Sequence, residues 1–290
     1  MSDQHSTVNL NYSAGLCRKA LSMRSPDYQS YNRFSSHNSP KNNHIFILKS
    51  GSQFLARFDC ISKSTTYYDM SAYITNSYEP SCFTLPDGQV LLTGCYKNTY
   101  QGDCFIFNPV SLVCVKVASL NRPRYSVCLH YHAGYVYGFG GIYLDPVKAS
   151  ERFCLLTNRW ELLPNLTQPR FSCTCVTIGD YIYVIGGRYV NSIEEFHIDR
   201  RSFRMIETTV LYKGCSCACF EDRIYVICSE GYVILNRQFE EIDRKMYRNK
   251  NIVFCRNDIR ICEGRMYFNY DNFVEEFDSE SRTTVSITEV

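Results

Sequence analysis

Three residues of metal-ligating type occupy alternate positions in the short run CLHYH. If this run forms a β-strand, Cys128, His130 and His132 point to one face, because side chains alternate along a strand. At a rise of about 3.3 Å per residue, however, Cys128 and His132 would lie ~13 Å apart, too far to bind one zinc ion comfortably. No metal site is predicted here, although a site that combines two of these residues with ligands from elsewhere stays open.

A glycine pair offers a different chemistry. The stretch GDYIYVIGGR alternates like a strand and ends at Gly186 and Gly187, followed by Arg188. Such a loop can hold a phosphate or simply let the chain turn. A phosphate loop needs a helix that begins at the phosphate, whereas residues 188–198 alternate like another strand. The sequence therefore favours a structural turn and predicts no cofactor.

Acidic and cysteine pairs could also do chemistry. Adjacent Glu194 and Glu195 face opposite sides of a strand, and the same pair recurs at 275–276, which indicates a structural role. The Cys-x-Cys runs at 173–175 and 215–219 lack the second pair that a specific zinc site requires. No nucleophile motif such as Gly-x-Ser-x-Gly is present. The sequence therefore predicts no catalytic residue.

The composition indicates a folded protein rich in strands. Hydrophobic residues make up 45% of the 290 residues and charged residues 21%, and there are 23 Tyr and 18 Phe. Because 31 basic residues nearly balance 29 acidic ones, no nucleic-acid partner is expected. No stretch approaches the ~20 apolar residues that span a bilayer, so membrane insertion is not expected.

The cysteines and the N-terminus indicate the compartment. Residues 1–32 contain no continuous apolar region like that of a secretory signal, so the expected location is cytoplasmic. The chain is rich in cysteine, with 16 in all. In that compartment they are expected to be reduced thiols, several of them buried as small hydrophobic residues.

The glycine pair recurs together with its flanking residues. The run RPRYSVCLHYHAGYVYGFGG aligns with QPRFSCTCVTIGDYIYVIGG, which lies 46 residues later, so Arg124 matches Arg170. Weaker copies extend the pattern in both directions. A ligand-binding loop has no reason to repeat with its flanks, whereas a structural unit does. Six units are predicted, starting near residues 33, 78, 124, 170, 212 and 254.

Each unit contains four short strands joined by tight turns. The predicted strands of the third unit are 125–131, 135–140, 151–156 and 159–163, and those of the fourth are 171–178, 181–186, 193–198 and 202–206. One four-stranded sheet cannot bury both of its faces, but six sheets packed around an axis can. The predicted fold is therefore all-β, a six-bladed β-propeller of four-stranded antiparallel blades. In such a ring, Cys128, His130 and His132 are expected to line the central channel or its rim.

The domain prediction divides the chain at residue 33. Residues 33–290 form the propeller, and residues 1–32 form an N-terminal extension that is either flexible or docked. A short helix could begin in this extension at Ser13. The last unit has its own fourth strand in TTVSITEV and the first unit its own first strand near 33–40, but the alternating residues 6–12 offer a closing strand instead.

These units resemble kelch repeats. The resemblance rests on the glycine pair that ends an aromatic strand, the arginine one strand upstream, the acidic or Asn-containing turn and Trp160. It covers about residues 33–290, with departures where the pair becomes Thr93-Gly94, Cys228-Ser229 and Asn269-Tyr270. The 32 residues that precede the repeats are too short for the BTB or F-box domains often found beside them. A bare propeller, or one subunit of something larger, is expected.

The resemblance implies a function in protein binding. Kelch relatives grip a peptide or protein with the loops after each second strand, on one face of the disc. Carried over by position, the binding residues are Tyr96, Lys97, Tyr143, Asp145, Arg188 and Tyr189, with Ser126 and Ser172 nearer the channel. We therefore expect a non-catalytic scaffold or adaptor, with a cytoskeletal role or a place in a larger assembly. The alternatives are that these loops are merely solvated, or that the chain is an enzyme like the copper oxidases and sugar isomerases of similar architecture.

Overall fold

A computed structural model describes residues 43–48, 52–74, 80–95, 102–206, 215–228, 231–246, 259–270 and 273–289. These residues form β-strands and turns and contain no helix. Short apolar runs rich in β-branched and aromatic residues explain this outcome. Inner strands such as Tyr181–Ile185 and Gly231–Leu235 bury consecutive side chains, because both faces of a blade pack against its neighbours. The predicted all-β class is confirmed.

The strands form six antiparallel blades, each a simple meander. Blade 1 contains β1 (His44–Leu48), β2 (Phe54–Asp59) and β3 (Thr65–Asp69); blade 2 contains β4 (Ser81–Thr84), β5 (Val90–Cys95), β6 (Asp103–Asn108) and β7 (Val113–Val117). Blade 3 contains β8 (Cys128–His132), β9 (Tyr135–Phe139), β12 (Ser150–Cys154) and β13 (Arg159–Leu162), with a small hairpin of β10 (Ile142–Tyr143) and β11 (Asp145–Pro146) inserted after β9. Blade 4 contains β14 (Thr174–Ile178), β15 (Tyr181–Ile185), β16 (Ile193–His197) and β17 (Ser202–Ile206). Blade 5 contains β18 (Cys215–Phe220), β19 (Arg223–Cys228), β20 (Gly231–Leu235) and β21 (Glu241–Met246); blade 6 contains β22 (Arg260–Cys262), β23 (Arg265–Tyr270), β24 (Phe273–Asp278) and β25 (Thr283–Glu289).

The blades pack around a common axis. Within the described residues, one hydrophobic cluster fills each of the six interfaces between neighbouring blades. Between blades 3 and 4, for example, Phe139 and Phe196 meet with ring centroids 5.9 Å apart. Between blades 6 and 1, Tyr267 packs on Phe58 at 6.4 Å. The ring is therefore closed, and the protein is a six-bladed β-propeller.

The chain closes this ring without exchanging a strand in the described residues. The four strands of blade 6 all come from residues 260–289, and β25 confirms the fourth strand predicted in TTVSITEV. The first strand predicted near 33–40, the alternative strand at 6–12 and the helix predicted at Ser13 lie outside the described residues. The predicted domain boundary at residue 33 lies outside them as well.

The later strands of blades 3 and 4 begin and end within one residue of the predicted bounds, except that β12 ends at Cys154 rather than 156. The innermost strands begin later than predicted. Strand β8 begins at Cys128 rather than 125, and β14 begins at Thr174 rather than 171. The reason is local, because Ser126 and Ser172 have φ angles of 54° and 49°, in the left-handed region. A strand cannot continue through that conformation.

The glycine at the end of the second strand lets the next blade approach. Gly140 has a φ angle of 61°, and a Cβ atom there would lie 2.1 Å from the carbonyl oxygen of Arg170. Gly94, in blade 2, has a φ angle of 71°, and a Cβ atom there would lie 2.9 Å from Tyr125 Cα and 3.1 Å from the carbonyl oxygen of Arg124. Gly94 therefore corresponds to Gly140 and not to Gly141, which shifts the predicted pair of the second unit by one residue, from Thr93-Gly94 to Gly94-Cys95.

Candidate functional site

A buried ion pair supports the loop face of blade 4. Arg170 and Glu194 are both fully buried, and the Arg170 Nε atom donates to Glu194 Oε1 at 2.9 Å. The Arg170 Nη1 atom donates to the carbonyl oxygens of Gly186 and Ser192 at 2.9 and 2.7 Å. Glu194 also accepts a hydrogen bond of 2.6 Å from the backbone N–H of Thr167. The pair thus fixes both ends of the loop that follows β15.

Blade 3 repeats this arrangement. Arg124 pairs with the buried Glu151 and donates to the carbonyl oxygen of Gly140 at 2.7 Å. Glu151 accepts a hydrogen bond of 2.9 Å from the backbone N–H of Asn121. Burial lowers the pKa of Arg124, an effect that the neighbouring carboxylate opposes. Because these polar groups serve each other and the backbone, their role is structural.

The supported loop of blade 3 is the hairpin β10–β11. Ile142 and Tyr125 exchange backbone hydrogen bonds of 2.8 and 3.1 Å, which attach the hairpin to the segment leading into β8. Tyr143 pairs with Asp145 across the turn, so Leu144 alone forms the tip, with a φ angle of 63°. Tyr143 is 44% exposed and Leu144 69% exposed. The hairpin therefore presents large apolar side chains to solvent.

The equivalent loop of blade 4 presents a second tyrosine. The backbone N–H of Arg188 donates to the carbonyl oxygen of Phe171 at 2.9 Å, the same attachment that Ile142 makes in blade 3. Tyr189 follows with a φ angle of 70° and is 76% exposed. The Arg188 guanidinium lies 5.8 Å from the Phe171 ring and 5.4 Å from the Tyr189 ring, distances at which a cation is attracted to an aromatic ring.

The two loops lie side by side. The backbone N–H of Gly141 donates to the carbonyl oxygen of Arg170 at 2.8 Å, and Arg170 donates back to Val147 at 3.3 Å. The hydroxyl oxygens of Ser126 and Ser172 lie 3.2 Å apart where the innermost strands begin. The exposed side chains of both loops therefore share one edge of the face, here called the tyrosine rim. It consists of Tyr143, Leu144, Asp145, Arg188 and Tyr189.

Comparison with known proteins agrees with this geometry. The kelch motif model matches residues 169–207, which begin just before Arg170 and end after β17. The matched segment is the blade that contains the glycine pair and the buried Arg170–Glu194 pair, inside a ring of six such blades. The chain is a six-bladed β-propeller that contains a kelch motif. No curated protein matches it.

The propeller brings together the predicted binding residues that can be located. Tyr143, Asp145, Arg188 and Tyr189 lie on the rim, and half-buried Ser126 and Ser172 lie below them. Tyr96 and Lys97 lie outside the described residues. The sequence analysis did not predict Leu144 as a binding residue, because the exposure of this side chain depends on the tight hairpin. The run YLDP does contain residues that are typical of a turn. The described residues include no helix long and apolar enough to cross a membrane.

The predicted position of Cys128 and His130, in the CLHYH run, is wrong. Cys128 and His130 do not line the channel but pack against blade 4, where Cys128 Sγ lies 3.1 Å from Cys175 Sγ and His130 Nε2 lies 2.6 Å from Thr177 Oγ1. The cause is geometric, since side chains stand perpendicular to a blade and therefore meet the neighbouring blades.

The remaining residue of that run, His132, is partly buried, and burial lowers its pKa. In the described parts of the chain, no three His, Cys, Asp or Glu side chains are arranged to hold a metal ion.

Proposed function

We propose that this kelch propeller is a non-catalytic cytoplasmic scaffold or adaptor, which binds a protein or peptide through the tyrosine rim. The observation that carries the proposal is the grouping of Tyr143, Leu144, Arg188 and Tyr189 in two adjacent loops of one face. Leu144 and Tyr189 are held at positive φ, as are turn residues elsewhere in the chain such as Leu112. A conformation of this kind costs roughly 1–3 kcal/mol and persists where the surroundings impose it.

The composition of the rim supports protein binding. Tyrosine and arginine are enriched among the residues that dominate the free energy of protein association. A tyrosine adds a large amphipathic surface while losing little side-chain entropy. Three such side chains, Tyr143, Arg188 and Tyr189, lie in two adjacent loops, and the Arg188 guanidinium lies within 6 Å of the centres of two rings.

The attachment of the loops supports the proposal further. Each loop is tied to the segment leading into its innermost strand by backbone hydrogen bonds of 2.8 to 3.1 Å. A surface that is ordered before binding loses less conformational entropy when the partner arrives. The rim is therefore suited to recognition by rigid docking of a partner surface or an extended peptide.

The test compares two double variants. Proteins captured by the wild-type chain from its native source are identified, and the strongest partner is purified for direct measurement of Kd. Tyr143→Ala/Tyr189→Ala should weaken binding by about 30-fold, which corresponds to ~2 kcal/mol for loss of anchoring side chains. The control, Tyr67→Ala/Leu162→Ala, removes exposed apolar side chains from the outermost strands of blades 1 and 3 and should bind like wild type.

Thermal melting verifies that both variants fold. The proposal is wrong if the folded rim variant keeps wild-type affinity, and it is also wrong if the two variants weaken binding equally.

A further inference from the structure

Two thiols meet at the interface of the blades that carry the tyrosine rim. Cys128 belongs to β8 and Cys175 to β14, the innermost strands of blades 3 and 4. Both are buried thiols, and their sulfur atoms lie 3.1 Å apart. A disulfide bond is about 2.05 Å long, so a shift of about 1 Å would bring the two atoms to bonding distance.

At the interface between blades 4 and 5, the equivalent positions do not hold two thiols. Thr174 occupies in blade 4 the position that Cys128 occupies in blade 3, and Cys217 corresponds in the same way to Cys175. There the contact is between a hydroxyl and a thiol, with Thr174 Oγ1 3.3 Å from Cys217 Sγ. The same geometry thus recurs with a partner that cannot form a disulfide.

We propose that Cys128 and Cys175 form a reversible disulfide on exposure to a peroxide, which bonds blade 3 to blade 4 directly below the tyrosine rim. One thiol, as its thiolate, attacks a peroxide oxygen, the O–O bond breaks, and a sulfenic acid and a water molecule form. The second thiol loses its proton and attacks the sulfenic sulfur, which releases another water molecule. In total, two thiols lose two electrons and two protons, and hydrogen peroxide is reduced to two molecules of water.

The position of the bond gives it a consequence for the loops. Cys128 lies two residues after Ser126 and Cys175 three residues after Ser172, so the bond joins the strands that begin just below the two loops. Oxidation should reduce the relative motion of the hairpin β10–β11 and the loop after β15. The expectation that partner affinity changes on oxidation rests on the proposed function of the rim. The formation of the disulfide bond does not depend on that function.

A third thiol competes for Cys128. Cys173 lies two residues before Cys175 in the sequence, and its hydrogen bond with Cys128 and its burial both raise its pKa. The thiolate is the species that reacts, so Cys173 is expected to react more slowly than an exposed thiol. The test must therefore distinguish the two possible partners of Cys128.

Peptide mapping makes this distinction. The full-length chain is treated with hydrogen peroxide, its remaining thiols are alkylated, and it is digested with trypsin without reductant. Cys128 then lies in the peptide 125–148, and both Cys173 and Cys175 lie in 171–188. We expect these two peptides to be linked, with a mass lower by two hydrogen atoms than their sum. The link should persist in Cys173→Ala, disappear in Cys175→Ala and be reversed by dithiothreitol.

Two further measurements complete the test. The melting temperature should rise by several degrees on oxidation of the wild type and not of Cys175→Ala, and amide hydrogen exchange should slow in residues 141–147 and 188–190.

The proposal is overturned if the thiols oxidise without a link, if the link runs to Cys173, or if exchange in both loops is unchanged. Repeating the mapping in Tyr143→Ala/Tyr189→Ala separates it from the proposed function, because the link should form there whether or not a partner binds.

Discussion

At the scale of single residues, the neighbours Glu194 and Glu195 show how a strand gives two identical side chains different environments. Glu194 is fully buried against Arg170, whereas Glu195 accepts a hydrogen bond of 3.1 Å from the Tyr183 hydroxyl and pairs with Arg204, which is 73% exposed. The alternation of side chains along β16 produces this difference. Neither carboxylate is left for acid–base chemistry.

The substitution Glu194→Gln should therefore destabilise the protein strongly. It leaves the buried Arg170 without a counter-charge. The new amide NH2 group also replaces one of the two oxygens that accept hydrogen bonds from Thr167 and Arg170. Breaking a buried ion pair on one side typically costs about 3–5 kcal/mol. The free energy of unfolding in urea measures this loss.

The control for this change is Arg204→Gln, which breaks the exposed pair with Glu195 and should alter the unfolding free energy little. Equal effects of Glu194→Gln and Arg204→Gln would contradict the structural role assigned to the buried pair.

At the scale of secondary-structure elements, the glycine after β9 sets how closely two blades can approach. In Gly140→Ala the new methyl group would meet the carbonyl oxygen of Arg170, and the left-handed backbone would be strained as well. We expect a loss of about 1–2 kcal/mol from the backbone conformation and a further ~1–3 kcal/mol from overpacking. Thermal or urea unfolding provides the measurement.

Gly134→Ala separates these two contributions. Gly134 also has a positive φ angle, 85°, but nothing lies within 4 Å of its would-be Cβ atom. It should show only the backbone loss, so Gly140→Ala must be the more destabilising of the two if the close approach of the blades matters.

The sequence predicted these elements well because the information it uses is local. Alternation and turn residues located the strands of blades 3 and 4, and the repeat alignment placed Tyr143 and Tyr189 in equivalent loops. Two features depend on tertiary contacts and were not predicted. The left-handed conformation of Ser126 is unusual for serine, and it follows from no local pattern. The direction of Cys128 toward blade 4 depends on how the blades stack.

At the scale of the whole molecule, the interior of the propeller should protect its thiols. Eight of the twelve cysteines whose side chains the structure describes are buried. Burial raises the pKa of Cys60 and Cys104 to about 12, so almost no reactive thiolate is present there at pH 8. Leaving out Cys128 and Cys175, which the proposed oxidation requires to be reactive, reduced native protein should therefore react rapidly with at least six fewer equivalents of a thiol reagent than denatured protein.

Colorimetric titration of the thiols tests this expectation. The denatured chain should give sixteen equivalents. A native value close to sixteen would show that the interior is open, and a low denatured value before reduction would show that the chain contains disulfides.

Closure of the ring depends on contacts between blades 6 and 1, and a polar cluster joins them beside the hydrophobic one. Lys63, in the turn after β2, places its Nζ atom 2.9 Å from Glu276 Oε2 and 4.1 Å from the centre of the Tyr267 ring. Burial raises the pKa of Glu276, but hydrogen bonds from Lys63, Tyr267 and Arg265 outweigh it and leave this pKa below its usual value. The carboxylate is therefore more stable in the folded protein than in the unfolded chain.

The substitution Lys63→Met tests this part of ring closure. Because the folded pKa of Glu276 is depressed, its contribution is present above the unfolded pKa of about 4.3 and is lost as the pH falls through the lower folded value. At pH 7 the variant should lose roughly 1 kcal/mol, the upper range for a partly exposed pair. It should also exchange amide hydrogens faster in β1 and β22. The matched control Lys116→Met breaks a pair of the same length, 2.9 Å, inside blade 2. If both variants leave exchange in β1 and β22 unchanged, or if the deficit of Lys63→Met persists undiminished below pH 3, the cluster does not help to close the ring.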